Sequence, residues 1–154
     1  MHLFEENIKN LGLNIPDLPK ALANYVPFKT VGKTMYISGQ APVQNGEVVY
    51  KGKVGSDVTI DDGISAAKLC CINIIAALKT GLDGDWEKLD TFVKLTGFVN
   101  CNNDFIDQPK IINGASDMLV EIFKDRGRHT RVAVGSNTLP LGISVEIDAI
   151  VQLK

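Results

Sequence analysis

Chemistry-bearing residues of several kinds are scarce in this chain. It has two histidines, three cysteines, one tryptophan and an aromatic content of 6% in 154 residues. His2 and His129 alone, with no Cys-x-x-Cys, give a dedicated zinc site nothing to build on, so no metal is expected. The cysteines are odd in number, and Cys70 and Cys71 are adjacent within a helical pattern, which does not make a disulfide framework. Reduced, packed thiols are expected. A surplus of positive charge is also missing: 16 Lys and Arg face 18 Asp and Glu, a formal net charge of −2. A protein built to grip a nucleic-acid backbone normally presents a basic face, and the basic cluster here is limited to Arg126, Arg128, His129 and Arg131. Nucleic acid is therefore not an expected partner. The longest apolar run, Leu69 to Leu78, is interrupted by Asn73 and followed by Lys79, short of a membrane span. Glu5 and Glu6 fall where a secretory leader needs positive charge and apolar bulk, so the expected location is cytoplasmic.

What the chain does contain reads as one α+β domain. Hydrophobic residues make up 45% and charged residues 22%, a balance that can bury a core without staples. Residues 1–24, with Leu11-Gly12-Leu13 and the prolines Pro16 and Pro19, read as an irregular lead-in, and the domain is expected to span residues 25–154. Thr30 to Ser38 carries β-formers, and V-Q-N-G-E-V-V-Y flanks an Asn45-Gly46 turn with valines, a hairpin signal. Thr59 followed by Asp62 marks a helix start; Ile64, Ala67, Cys71, Ile74, Ile75 and Leu78 then repeat at helical spacing up to Gly81. Asp90 to Asn100 alternates as a strand, and a second helix from near Pro109 carries Ile111, Ala115, Leu119, Ile122 and Phe123 to its end around Asp125 to Gly127. Two closing strands follow. The order implies a mixed sheet with two helices on one face.

Two familiar patterns fail. Gly32-Lys33-Thr34 resembles the end of a phosphate loop, but Pro27 stands where the first glycine is required. Gly52-Lys53-Val54-Gly55 is too short for a dinucleotide fingerprint and leads into no helix directly.

The closing strands, R-V-A-V-G-S and I-S-V-E-I-D-A-I around Leu139-Pro140-Leu141-Gly142, place one arginine and one glutamate among apolar residues. Alternation points Arg131 away from Val132 and Val134, and Glu146 away from Val145, Ile147, Ala149 and Val151. The two are then expected on the same side of one sheet, where a guanidinium and a carboxylate would suit a small anionic substrate. An arbitrary pair of this kind is by default a structural ion pair.

Three ordered segments argue for more. M-Y-I-S-G-Q-A-P (Met35 to Pro42), V-K-L-T-G-F-V-N (Val93 to Asn100) and the run from Gly127 to Ile150 resemble the Rid family, also called YjgF and often labelled L-PSP endoribonucleases. The resemblance runs from about Tyr25 to the C-terminus. It implies a chorismate-mutase-like fold, a homotrimer with clefts between neighbouring chains, no cofactor, and hydrolysis of enamines and imines such as 2-aminoacrylate to 2-keto acids and ammonia. Carried over by motif, Arg131 is the carboxylate-binding and catalytic arginine, and Glu146 orients or deprotonates the attacking water. Ser38 and Gly39 match the S-G-Q residues lining the cleft, and Tyr25 in N-Y-V-P matches an aromatic residue closing it. Ala133 departs from the pattern, because the deaminase branch commonly has cysteine there; alanine suffices if the backbone carbonyl is what holds the water. Ala133, the N-Y-V-P and L-P-L-G wording and the longer segment before Asn113 mark a divergent branch. The alternatives are a non-catalytic metabolite-binding regulatory trimer and, physically weakest, an endoribonuclease, for which the chain offers no histidine pair.

Overall fold

A computed structural model describes residues 1–18 and 24–154. Its elements run α1 (Leu3–Asn10), β1 (Phe28–Val31), β2 (Thr34–Gln40), β3 (Val43–Gln44), β4 (Glu47–Val48), α2 (Ile60–Gly81), β5 (Leu89–Asn100), α3 (Gln108–Phe123), β6 (Thr130–Ser136) and β7 (Val145–Leu153). Five strands form one mixed sheet in the order β1-β2-β7-β5-β6, and β3 and β4 form a separate hairpin. Only β5 and β6 run parallel, joined by α3 as a crossover. The mixed sheet carrying helices on one face, read from the sequence, is the arrangement found.

Local chemistry accounts for most boundaries. Thr59 caps α2 by accepting from Asp62 N at 3.1 Å. Asn45 and Gly46 both take positive φ in the β3–β4 turn, as a two-residue hairpin requires. Gly32-Lys33 is likewise a hairpin turn, between β1 and β2, with Gly32 at φ +62°. The core lies between the sheet and the helices: Leu95, Val99, Val145, Ile147, Ala149 and Val151 meet Cys70, Ile74, Ile75, Ile111 and Leu119. Packing there is close enough that a Cβ on Gly97 would stand 2.6 Å from Ile112 Cδ1. At 22 residues α2 is long and apolar enough to cross a membrane by length and composition, but ten of its residues are buried, as a core helix requires.

The reading of residues 1–24 as an irregular lead-in needs correction. Leu3–Asn10 is helical, His2 caps it by accepting from Phe4 N, and Phe4 and Ile8 enter the core. The Phe4 ring meets Phe123 at 5.0 Å and Trp86 at 6.3 Å, and the Arg126 guanidinium sits over it at 5.8 Å. Asn7 Nδ2 donates to Ile122 O at 2.7 Å, tying this turn to the end of α3. A helix this short carries few apolar positions, and its stability comes from docking, which periodicity does not register. Among the described residues three α-helices, not two, therefore pack on the sheet or on each other. Pro19, part of that lead-in reading, lies outside the described residues.

Candidate active site

Tyr25, Ser38 and Gly39 come together. They line an open cleft of about 640 Å³ with Lys29, Tyr36, Thr96 and Asp148 on the sheet face opposite the helices. Ser38 makes the junction: its Oγ donates to Val26 O at 2.7 Å and its N–H to Pro27 O at 2.9 Å, which holds the strand entering β1 against β2. The β2–β7 register slips by one residue between Ile37 and Gln40, so Ser38 and Gly39 sit in a β-bulge. Glycine leaves room there for the Glu146 carboxylate, which lies over it. A Cβ on Gly39 would fall 2.6 Å from Glu146 Oε1. Glu146 is half-buried, and burial raises its pKa above the ordinary carboxylate value, with the Asp148 charge adding to the effect.

Asp148 was not singled out by the sequence reading. Residues two apart on a strand share a face, so the signal was available in E-I-D. At 3.3 to 3.4 Å of rise per residue the two carboxylates stand within about 7 Å on one strand, close enough for the Asp148 charge to add to the burial that raises Glu146.

Arg131 does not join this group, which corrects the expected same-side placement. Through β5 the register aligns Arg131 with Leu95 and Ala149, both on the helix-facing core side. Glu146 aligns with Phe98, and Phe98 with Val134, on the open side. The two charged residues thus lie on opposite faces, two strands apart, or about 10 Å at the usual 4.7 to 4.9 Å spacing. Assigning the valines of β6 to the core caused the inversion. β6 is an edge strand, so Val132 and Val134 stand 41% and 40% exposed on the open face, while Arg131 turns toward polar groups on α3. Its Nη1 donates to Asn113 Oδ1 at 2.7 Å and to Ser116 Oγ at 3.2 Å. Ala133 shares the Arg131 side, opposite Gly97.

The remaining candidates are structural. Cys70 and Cys71 are buried, donate to Val145 O and Ala115 O, and burial pushes both thiols up, away from the nucleophilic thiolate. Lys53, in the rejected glycine run, donates to Asn100 Oδ1 at 2.9 Å and to Asn137 O, pinning loops at one end of the sheet. Among the described residues, no three His, Cys, Asp or Glu side chains gather as a metal set.

A five-stranded mixed sheet with helices on one face and an open cleft on the other defines an α+β protein. Residues 5–151 match the family model described as "YjgF/chorismate_mutase-like, putative endoribonuclease", and the chain belongs to that family. It is similar to the Agrobacterium tumefaciens protein Atu1372, of unknown function, at 42% identity and a TM-score of 0.93, covering 99% of this chain and 93% of that one. Protein TCP17 of Trypanosoma cruzi is 35% identical over 149 residues, 96% of this chain and 92% of the relative. Escherichia coli TdcF, whose structure holds bound serine, is 26% identical with a TM-score of 0.63, covering 87% of this chain and 91% of that one. The chain is thus more similar in structure to Atu1372 than to TdcF.

Proposed function

We propose that the protein is a homotrimeric hydrolase that deaminates small carboxylate-bearing enamines and imines, such as 2-aminoacrylate, to 2-keto acids and ammonia. The observation that carries this reading is Glu146, a half-buried carboxylate of raised pKa that lies over Gly39, one of the residues lining the cleft with Tyr25 and Ser38. A base whose pKa is lifted toward the working pH transfers protons more effectively. An enamine first tautomerises to its imine; water bound there attacks the imine carbon, Glu146 takes a proton from it and passes that proton to the nitrogen to give the carbinolamine, and as the C–N bond breaks the hydroxyl proton moves by way of Glu146 to the departing nitrogen, leaving the carbonyl and ammonia. Arg131 supplies the carboxylate grip, because a planar fork can make two charge-assisted hydrogen bonds. Serine bound to TdcF is likewise a small ligand that carries a carboxylate.

The separation of Arg131 from the Glu146 cleft supports a site completed between chains. Arg131 lies on the β6 edge, whereas Ser38 lies on β2, three strands away, and Tyr25 lies just before β1. Tyr36, Phe98, Val132, Val134 and Ile150 leave an apolar surface on the open face that a neighbouring copy would cover. Ala133 favours the second reading, a regulatory trimer that binds keto acids without turnover, since the deaminase-branch thiol is missing.

Calorimetric titration with 2-ketobutyrate tests the grip. Arg131→Ala is expected to weaken binding at least tenfold, with Arg131→Lys nearly as damaging because an ammonium lacks the fork. Unchanged affinity in folded Arg131→Ala would remove Arg131 from the site.

A further inference from the structure

Behind Arg131 runs a chain of hydrogen bonds that the proposed reaction does not use. His129 Nδ1 lies 2.7 Å from Gly127 O. A carbonyl only accepts, so Nδ1 carries the ring proton, and in the neutral ring Nε2 is left as an acceptor. Burial pushes the His129 pKa down; the Gly127 carbonyl opposes this, and the Arg131 charge adds to it. Nε2 lies 2.9 Å from Ser116 Oγ, so the hydroxyl proton is committed to the imidazole. The Ser116 oxygen then has lone pairs to offer Arg131 Nη1, at 3.2 Å. Asn113 Oδ1, one helical turn earlier on the same face of α3, accepts from the same nitrogen at 2.7 Å. Both Nη1 protons are thereby assigned. Among the described residues Nε and Nη2 make no hydrogen bond, and this is the edge of a guanidinium that can hold a carboxylate side-on.

Resting on the reading of Arg131 as the carboxylate ligand, we infer that Ser116 and His129 are positioning residues for it. They fix the hydroxyl rotor and, with Asn113, hold Nη1 toward α3 so that the Nε–Nη2 edge is presented to a planar carboxylate. An unrestrained guanidinium would have to be frozen by the ligand, at a cost in affinity. The Ser116–His129 contact has the length of a nucleophile–base pair, but here the arginine donates to the serine oxygen, withdrawing the electron density that a nucleophile needs.

The test is a mutant cycle read by calorimetry with 2-ketobutyrate on the full chain. Ser116→Ala, which removes one charge-assisted hydrogen bond, should weaken binding about tenfold, and Ser116→Thr, which keeps the hydroxyl, should restore most of it. His129→Phe keeps the ring without an acceptor and should behave like Ser116→Ala. Neither change should cost anything further in an Arg131→Ala background. Nitrogen NMR of the unliganded protein reads the chain directly: the His129 proton should reside on Nδ1, and the Arg131 Nη1 protons should exchange slowly in wild type and rapidly in Ser116→Ala. Full affinity in Ser116→Ala, while Arg131→Ala loses it, would overturn the positioning role and leave the carboxylate reading standing. A His129 proton on Nε2, or freely exchanging Arg131 protons in wild type, would overturn it whatever the ligand does.

Discussion

Replacing Glu146 by glutamine separates catalysis from architecture, because the structure predicts opposite effects on the two. The side chain keeps its length and its seat above Gly39, while the basic charge is lost. General-base contributions are typically about 10² to 10⁴ in rate, so ammonia release should fall by that factor. Stability should not fall. Glu146 makes no ion pair with Arg131, which lies on the other face of the sheet. Its pKa is raised in the fold, so ionisation is disfavoured there relative to the unfolded chain. The folded state consequently loses stability as pH rises from the unfolded pKa through the folded one, and glutamine removes that loss. Half-exposure and solvent screening limit the gain to less than about 1 kcal/mol, or about 2 to 4 °C in Tm for a chain of this size. Differential scanning calorimetry and ammonia release on one preparation check both halves. An active variant with a sharply lowered Tm would refute the reasoning, since that is how a buried structural carboxylate behaves.

Gly39→Ala should lower kcat by displacing the Glu146 carboxylate, with the fold retained, as circular dichroism and steady-state kinetics would show; an undiminished kcat would mean that the position of Glu146 is immaterial. Phe4→Ala should cost about 3 to 5 kcal/mol by emptying the space against Phe123 and Trp86, and a urea melt within 1 kcal/mol of wild type would mean that α1 does not dock. His129 is held neutral below its ordinary pKa, so the unfolded chain takes up the proton first and stability should decline as pH falls from about 6.5 toward the folded pKa. His129→Asn should flatten that part of the Tm-versus-pH curve, and an identical slope would assign the decline to other groups.

Period and capping made the two long helices and the long strand β5 legible, because α2 and β5 each bury one continuous face against the core. Asn45-Gly46 disclosed its hairpin for an equally local reason, the positive φ at both positions. What depends on docking was not legible. α1 exists because Phe4 finds an aromatic pocket made by residues more than eighty positions away. The side of the sheet taken by Arg131 depends on β6 being an edge strand parallel to β5, and R-V-A-V alone does not encode which neighbour it has. Arg131, Glu146, Ser38, Gly39 and Tyr25 were found by motif, whereas Asn113, Ser116, His129 and Asp148 acquire meaning only through contacts.

Turnover is tested by the ammonia released when the wild-type chain meets freshly generated 2-aminoacrylate. Release faster than spontaneous hydrolysis and proportional to protein concentration is expected. Release at the spontaneous rate, from protein that binds 2-ketobutyrate through Arg131, would contradict it and leave a keto-acid-binding regulator in its place.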